Sequence, residues 1–198
     1  MTGKNRETYL NQAITQFRPL FKRVNAPIPA PEKLRVTCGF PSKSAGRSSK
    51  QRIGECWSSN ASADGTTELI VSMVLDDDIR VLDVLCHELI HAAVGNECGH
   101  RGEFKRVAVA LGMKGIMTAT IAGAELRTKL EAISKKLGAY PHAAIDFSNR
   151  KKQTTRMIKV TCKETDGCGM IFRTSATWIA FTGGELSCPS CGEGTVIG

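Results

Sequence analysis

Long apolar runs and histidines are both scarce in this chain of 198 residues, and each scarcity narrows what the protein can be. The longest strongly apolar stretch, Leu69 to Leu75, falls far short of the roughly 20 residues that cross a bilayer. No apolar segment follows the opening Met1-Thr2-Gly3-Lys4-Asn5-Arg6, so neither a secretory leader nor a membrane partner is expected. Low-complexity tracts and internal repeats are missing too, apart from a pairing of cysteines near the end. The expectation is a soluble, intracellular, cytoplasmic protein. In that reducing compartment its eight cysteines read as thiols and metal ligands, not as disulfides. With 41% hydrophobic residues, the chain can bury a core of one domain, or of one domain plus a small module.

Only four histidines are present, and His87, His91 and His100 fall close together. Cys86-His87-Glu88-Leu89-Ile90-His91 carries the HExxH pattern. On a helix over residues 78 to 95, His87 and His91 lie one turn apart on a shared face, with Glu88 about 100° round. That geometry suits one zinc ion held by two neutral imidazoles, with the glutamate free to act on water. Asp76, Asp77 and Asp78 supply N-cap candidates, and Ile79, Leu82, Leu85, Cys86, Leu89 and Ala93 an apolar face. Gly95 provides a stop. For the third ligand the spacing favours His100, just ahead of a helical pattern at 103 to 111. A plan with its third histidine six residues past the motif would need one at Glu97 and does not match, while Glu103, Glu125 and Glu131 are the carboxylate alternatives. Cys86 and Cys98 read as small buried hydrophobes.

His87-Glu88-x-x-His91, a short turn, His100, then Gly102-Glu103-Phe104 and an Ala110-Leu111-Gly112 ending together resemble the SprT-like zinc metallopeptidases, the group that includes the repair protease Spartan. The likeness extends over the whole chain, including a C-terminal cysteine module of the kind found in bacterial and phage members. One departure is that the family's His-Gly is His100-Arg101 here, with the glycine moved to Gly102. The resemblance implies proteolysis near DNA.

Residues 6 to 24 read as a helix through Leu10, Ile14, Phe17, Phe21 and Val24, with Pro19 expected to kink or interrupt it. An extended connection from Ala26 to Pro31 follows. Three strands are expected, Leu34 to Cys38, Arg52 to Trp57 and Glu68 to Val74, the last two joined through Asp64-Gly65. They resemble the small antiparallel sheet of zincins, whose edge strand pairs with an extended substrate. Glu68 to Val74 then reads either as that docking edge or as an ordinary core strand. Between the first two strands Lys43, Arg47 and Lys50, with the adjacent Arg52, make a basic loop at 41 to 51 that could touch nucleic acid or an acidic substrate, with a plain solvated loop as the default. Helices are expected at 103 to 111 and 122 to 137, the second with Leu126, Leu130, Ile133 and Leu137 on one face. Tyr140 or His142, in the turn beyond, is a candidate oxyanion stabiliser, with a structural turn as the default.

Composition shifts at Ser148. Arg150, Lys151, Lys152, Arg156 and Lys159 make a basic stretch and candidate nucleic-acid contacts, with a linker at 148–158 leading into a module at 159–198. Cys162, Cys168, Cys188 and Cys191 fit a zinc ribbon with four thiolates around a structural ion, although the first pair is wider than the usual two-residue spacing. Ile171, Phe172, Trp178, Ile179 and Phe181 are expected in short strands, with Arg173 placed to face a phosphate. The net charge of +8 suits a polyanion such as DNA. The sequence thus predicts an α+β protein with a zincin-like domain at 1–147 and a C-terminal β zinc ribbon. The expected function is a zinc metallopeptidase acting on DNA-associated proteins, with Glu88 as general base and two zinc ions, one catalytic and one structural. The alternative is a nucleic-acid-binding or transcription-associated adaptor whose HExxH site is structural.

Overall fold

Asn5 starts the first helix by accepting a hydrogen bond from the Thr8 N–H at 2.7 Å. The structure, a computed structural model, describes residues 5–43, 51–146, 157–163 and 167–197. Helix α1 runs Arg6–Arg23 without a break at Pro19 and buries Tyr9, Leu10, Ala13, Ile14, Phe17 and Phe21. The expected interruption is absent for an energetic reason. An internal proline costs about 3 kcal/mol, and burying Phe17 and Phe21 on its two sides returns about 1.5–3 kcal/mol each.

Strands β1 (Leu34–Gly39), β2 (Gly54–Trp57) and β3 (Thr67–Ser72) form a sheet in the order β1-β3-β2. The sheet is mixed, which corrects the antiparallel expectation: β1 runs parallel to β3 and β2 antiparallel to it. Because β3 is paired on both sides, Glu68 to Val74 is also not an edge that could dock a peptide. The edge strands are β1 and β2, and β2 is the one packed beside the helix that carries the histidines. Leu34, Val36, Cys38, Leu69 and Val71 point to the buried face, while Arg35, Thr37, Glu68 and Ile70 point the other way.

Helix α2, Asp78–Val94, is capped by Asp77, whose carboxylate accepts from the Arg80 N–H at 2.7 Å. Asp78 is used differently: it accepts from the Tyr140 N–H (2.8 Å) and the Ser134 hydroxyl (2.9 Å), fastening the start of α2 to the far end of the domain. Helix α3 (Gly102–Leu111), a two-residue ladder between β4 (Met113–Lys114) and β5 (Ile121–Ala122), and helix α4 (Ala124–Leu137) complete this part. α4 buries Leu126, Leu130, Ile133 and Leu137, the face its spacing predicts.

The chain divides into two compact units, Met1–Ser148 and Asn149–Gly198. In the second, β6 (Ile158–Cys162) lies between β7 (Ile171–Thr174) and β8 (Thr195–Ile197), antiparallel to both. Trp178, Ile179 and Phe181 are helical here, in α5 (Ala176–Phe181), not in strands. Ser175 caps that turn by accepting from the Trp178 N–H at 3.1 Å. The chain is therefore mixed α+β, with five α-helices and small sheets among its described residues. No helix among them is long and apolar enough to cross a membrane.

Candidate functional site

The helical spacing of His87 and His91 delivers both rings to one face of α2, and a tight turn after Gly95 returns His100 to them. His100 Nε2 lies 3.2 Å from the Nε2 of His87 and 3.2 Å from that of His91. A tetrahedral ion with metal–nitrogen bonds of about 2.0–2.1 Å places its nitrogens about 3.3 Å apart, so the donor set fits zinc. Among the described residues the three histidines form one of two groups able to hold a metal ion. The carboxylate alternatives lie elsewhere: Glu103 pairs with Arg106 and Glu131 with Arg127, all on exposed helix surface, and Glu125 sits exposed in the first turn of α4. Cys86 faces the core, where burial raises its thiol pKa, and Cys98 Sγ donates weakly to backbone carbonyls.

The displaced glycine of the turn has a structural use. Gly102 has φ 47° at the start of α3, a backbone region that L side chains avoid, so the chain can enter the helix straight after Arg101. Asn96, inside the turn, donates to the Cys56 carbonyl at 2.9 Å and ties it to β2.

Burial depresses the basicity of all three imidazoles: His87 falls to about 3 and His91 to about 4, neighbouring rings adding to the fall, and His100 is lowered as well, with Arg52 adding to its burial. Neutral rings with free lone pairs are what a metal requires. Phe104, fully buried on α3, packs against all three in tilted and edge-on contacts, its ring centroid 4.9, 4.4 and 4.9 Å from those of His87, His91 and His100. The sequence marked Phe104 only as part of a motif. Nothing marked Thr120, whose hydroxyl lies 2.7 Å from His87 Nδ1. With that hydroxyl accepting, the proton stays on Nδ1 and the Nε2 lone pair faces His91 and His100. His91 Nδ1, by contrast, is buried without a hydrogen-bond partner among the described residues. Thr120→Val should weaken metal binding at the histidines about 10–100-fold and Thr120→Ser should restore it, measured by competition with a chelator. Equal affinity in the valine variant would remove Thr120 from the site.

Glu88 is 7% exposed and faces the same cleft, of about 770 Å³. Burial pushes its carboxyl up to about 8, with Arg52 opposing and Glu55 assisting. A dication beside it would draw that value back down. Glu88 fits because β2 offers a glycine: a Cβ on Gly54 would collide with Glu88 Oε1 and lie 2.7 Å from Val84 Cγ1. Gly54→Val should therefore displace the carboxylate and cut any turnover that depends on it at least tenfold while the histidines keep their metal. Unchanged turnover would show that Glu88 has room to adjust. Lys43, Arg52 and Arg80 also line the cleft, Arg52 paired with Glu55 and Arg80 with Asp83. Arg47 and Lys50 of the basic loop lie outside the described residues.

Comparison with protein-family models, with curated proteins and with solved structures returns no match. The remaining predicted positions divide clearly. Tyr140 and His142 do not serve the cleft: the Tyr140 hydroxyl donates to Cys38 Sγ at 3.3 Å and its ring packs on Tyr9, while His142 contacts the Met73 carbonyl and Arg6. Both follow the pull of Asp78 on the 140 turn, which fixes the segment away from the histidines.

In the second unit Cys162, Cys168, Cys188 and Cys191 converge into the other group able to hold a metal ion. Cys162 and Cys191 Sγ are 3.5 Å apart, and Cys168 and Cys188 Sγ 3.6 Å. Zinc–sulfur bonds of about 2.3 Å set a tetrahedral edge of about 3.8 Å, close to both. Burial pushes Cys162 up to about 12, while the Met170 N–H leads in drawing Cys168 down to about 7. The wide first pair closes because Gly167 has no side chain: a Cβ there would strike Cys162 Sγ and the Lys163 carbonyl. Lys159 stands directly across from Arg173 in the β6–β7 ladder, both exposed, and Arg173 donates to the Met157 carbonyl at 3.4 Å. Arg150, Lys151, Lys152 and Arg156 lie outside the described residues.

Proposed function

We propose that the protein is a zinc metallopeptidase of SprT-like, zincin-type architecture whose C-terminal zinc ribbon brings it to DNA. The observation that carries this reading is the meeting of three imidazole Nε2 atoms with a buried carboxylate, Glu88, in one open cleft. Zinc bound by His87, His91 and His100 would polarise the scissile carbonyl and make water acidic enough to react near neutral pH. Glu88, held against Gly54, takes a proton from the attacking water and later delivers it to the leaving amine. The free edge of β2 lies along the same cleft and offers backbone groups to an extended peptide. Ser72 donates to the Ile53 carbonyl, so by the alternation of an antiparallel pair the groups of Gly54 and the N–H of Cys56 point outward, while the outward Cys56 carbonyl already accepts from Asn96.

The adaptor reading predicts a closed metal site, since structural zinc takes four protein ligands. Three are found among the described residues, beside a cleft. The DNA element of the proposal rests on the charge of +8 and on the opposed cations Lys159 and Arg173, which repel each other unless an anion lies between them. The deciding experiment incubates the zinc-loaded full chain with a DNA-bound protein, with and without DNA, across a salt series. Cleavage stimulated by DNA and fading as salt rises is the expected result. No cleavage of any polypeptide would overturn the peptidase reading, and cleavage indifferent to DNA would overturn its DNA element.

A further inference from the structure

We propose that a groove on the outer face of the β1-β3-β2 sheet is a substrate subsite for a bulky apolar side chain, three residues along the polypeptide from the bond cleaved in the histidine cleft. The inference rests on the metallopeptidase reading and adds a specificity determinant to it. The groove has a volume of about 370 Å³ and is lined by Thr37, Gly39, Trp57, Ala61, Glu68 and Ile70, among others. Its floor is made of methyl groups: a Cβ on Gly39 would meet Ile70 Cγ2 at 3.7 Å and Thr37 Cγ2 at 3.9 Å, with no clash. Glu68, at the rim, is already paired with Arg35 at 2.7 Å, so an apolar guest strands no free carboxylate. Room for a leucine, isoleucine or phenylalanine side chain remains.

Continuity selects the occupant. Trp57 is 43% exposed, a large share for an indole, and it lines both this groove and the cleft that contains Glu88. It is the last residue of β2, three beyond Gly54, which abuts Glu88. At about 3.3 Å per residue the two are about 10 Å apart, and an extended peptide that leaves Gly54 and runs alongside β2 past the Asn96-capped Cys56 carbonyl advances at the same rate. Side chains alternate between faces, so a residue displaced by three from the one beside Gly54 turns toward the outer face, where the groove lies. A polypeptide cleaved at Glu88 thus carries one side chain past Trp57 into an apolar recess.

The test has two parts, both on the zinc-loaded full chain. In the first, a library of peptides varied at the three positions on each side of the cleaved bond is digested by the native chain, by Trp57→Ala and by Gly39→Leu, which fills the groove from outside the cleft. The native chain should favour leucine, isoleucine or phenylalanine over aspartate at one position three residues from the cut, on the order of tenfold in kcat/KM. Both variants should lose that preference while still cutting peptides with small residues there. In the second, Trp178→Phe is combined with Glu88→Gln, leaving Trp57 as the sole tryptophan in an inactive chain. Its fluorescence should shift on adding the preferred peptide and not on adding the aspartate version. Cleavage with no preference at that position, and no fluorescence shift, would overturn the subsite and leave the peptidase reading standing. Failure to cleave any peptide would overturn both. Concentration-dependent dimerisation abolished by Trp57→Ala would show that a second copy covers the groove, which also overturns the proposal.

Discussion

Glu88→Gln is expected to lower peptidase turnover by roughly 10²–10⁴-fold or more while leaving the fold and the metal content unchanged. Glutamine matches the volume of glutamate in the narrow space against Gly54, so packing is preserved, but its amide cannot take a proton from water. Because Glu88 is not one of the three converging donors, elemental analysis should find the same metal content in the variant. Stability gives a second readout. Burial holds the folded carboxyl near 8 in the metal-free protein, against an ordinary value of 4.5. The folded state therefore binds a proton more tightly than the unfolded one, and ionisation opposes folding increasingly as pH rises from about 4.5 to 8. Glutamine carries no such penalty, so the metal-free variant should melt no lower than the native chain at pH 7. Turnover at the native rate with the histidine-bound metal in place would remove Glu88 as the base.

Local and long-range features of the site were unequally legible. His87, Glu88 and His91 can be read to the residue because their relation is fixed by helical geometry within five positions, and the capping aspartates and Gly95 mark the same helix. His100 is nearly as local, since the intervening turn is short. Thr120 is 33 residues from His87 and reaches it through a ladder of two-residue strands with no sequence signature. Local pattern also says which face of a strand is buried but not which strand lies beside it, so the central place of β3 was hidden. A signal was available there: Gly54-Glu55-Cys56-Trp57 is short and carries a charge, as edge strands do, whereas Leu69-Ile70-Val71 is continuously apolar, as doubly flanked strands are. In the second unit Ser175 before Trp178 is a helix N-cap pattern, and it outweighs the strand-forming character of Trp178, Ile179 and Phe181.

The cysteine unit is expected to unfold when its metal is removed, and the first unit is expected not to follow. Among the described residues of Asn149–Gly198 only Val160, Cys162 and Cys188 are buried among the apolar and thiol side chains, and two of those three are candidate ligands. Ile171, Trp178 and Phe181 are exposed, at 58%, 56% and 78%. One valine contributes about 1.5–3 kcal/mol of burial, far below the conformational entropy of ordering several tens of residues at about 1–2 kcal/mol each. Structural zinc in small cysteine modules contributes an apparent 10–16 kcal/mol at pH 7, several times what that valine supplies. Cys188→Ser should accordingly abolish hydrogen-exchange protection in β6, β7 and β8 while α1, α2 and the β1-β3-β2 sheet keep theirs. His87→Ala with His91→Ala should lower the metal count from two ions per chain to one and leave β6 to β8 protected. The first unit tolerates the loss because its core, which includes Tyr9, Phe17, Leu69, Leu85 and Phe104, forms without any ligand atom. A single ion per fully folded native chain would sink the two-site reading, and full protection of β6 to β8 in Cys188→Ser would show that this unit folds without its four thiolates.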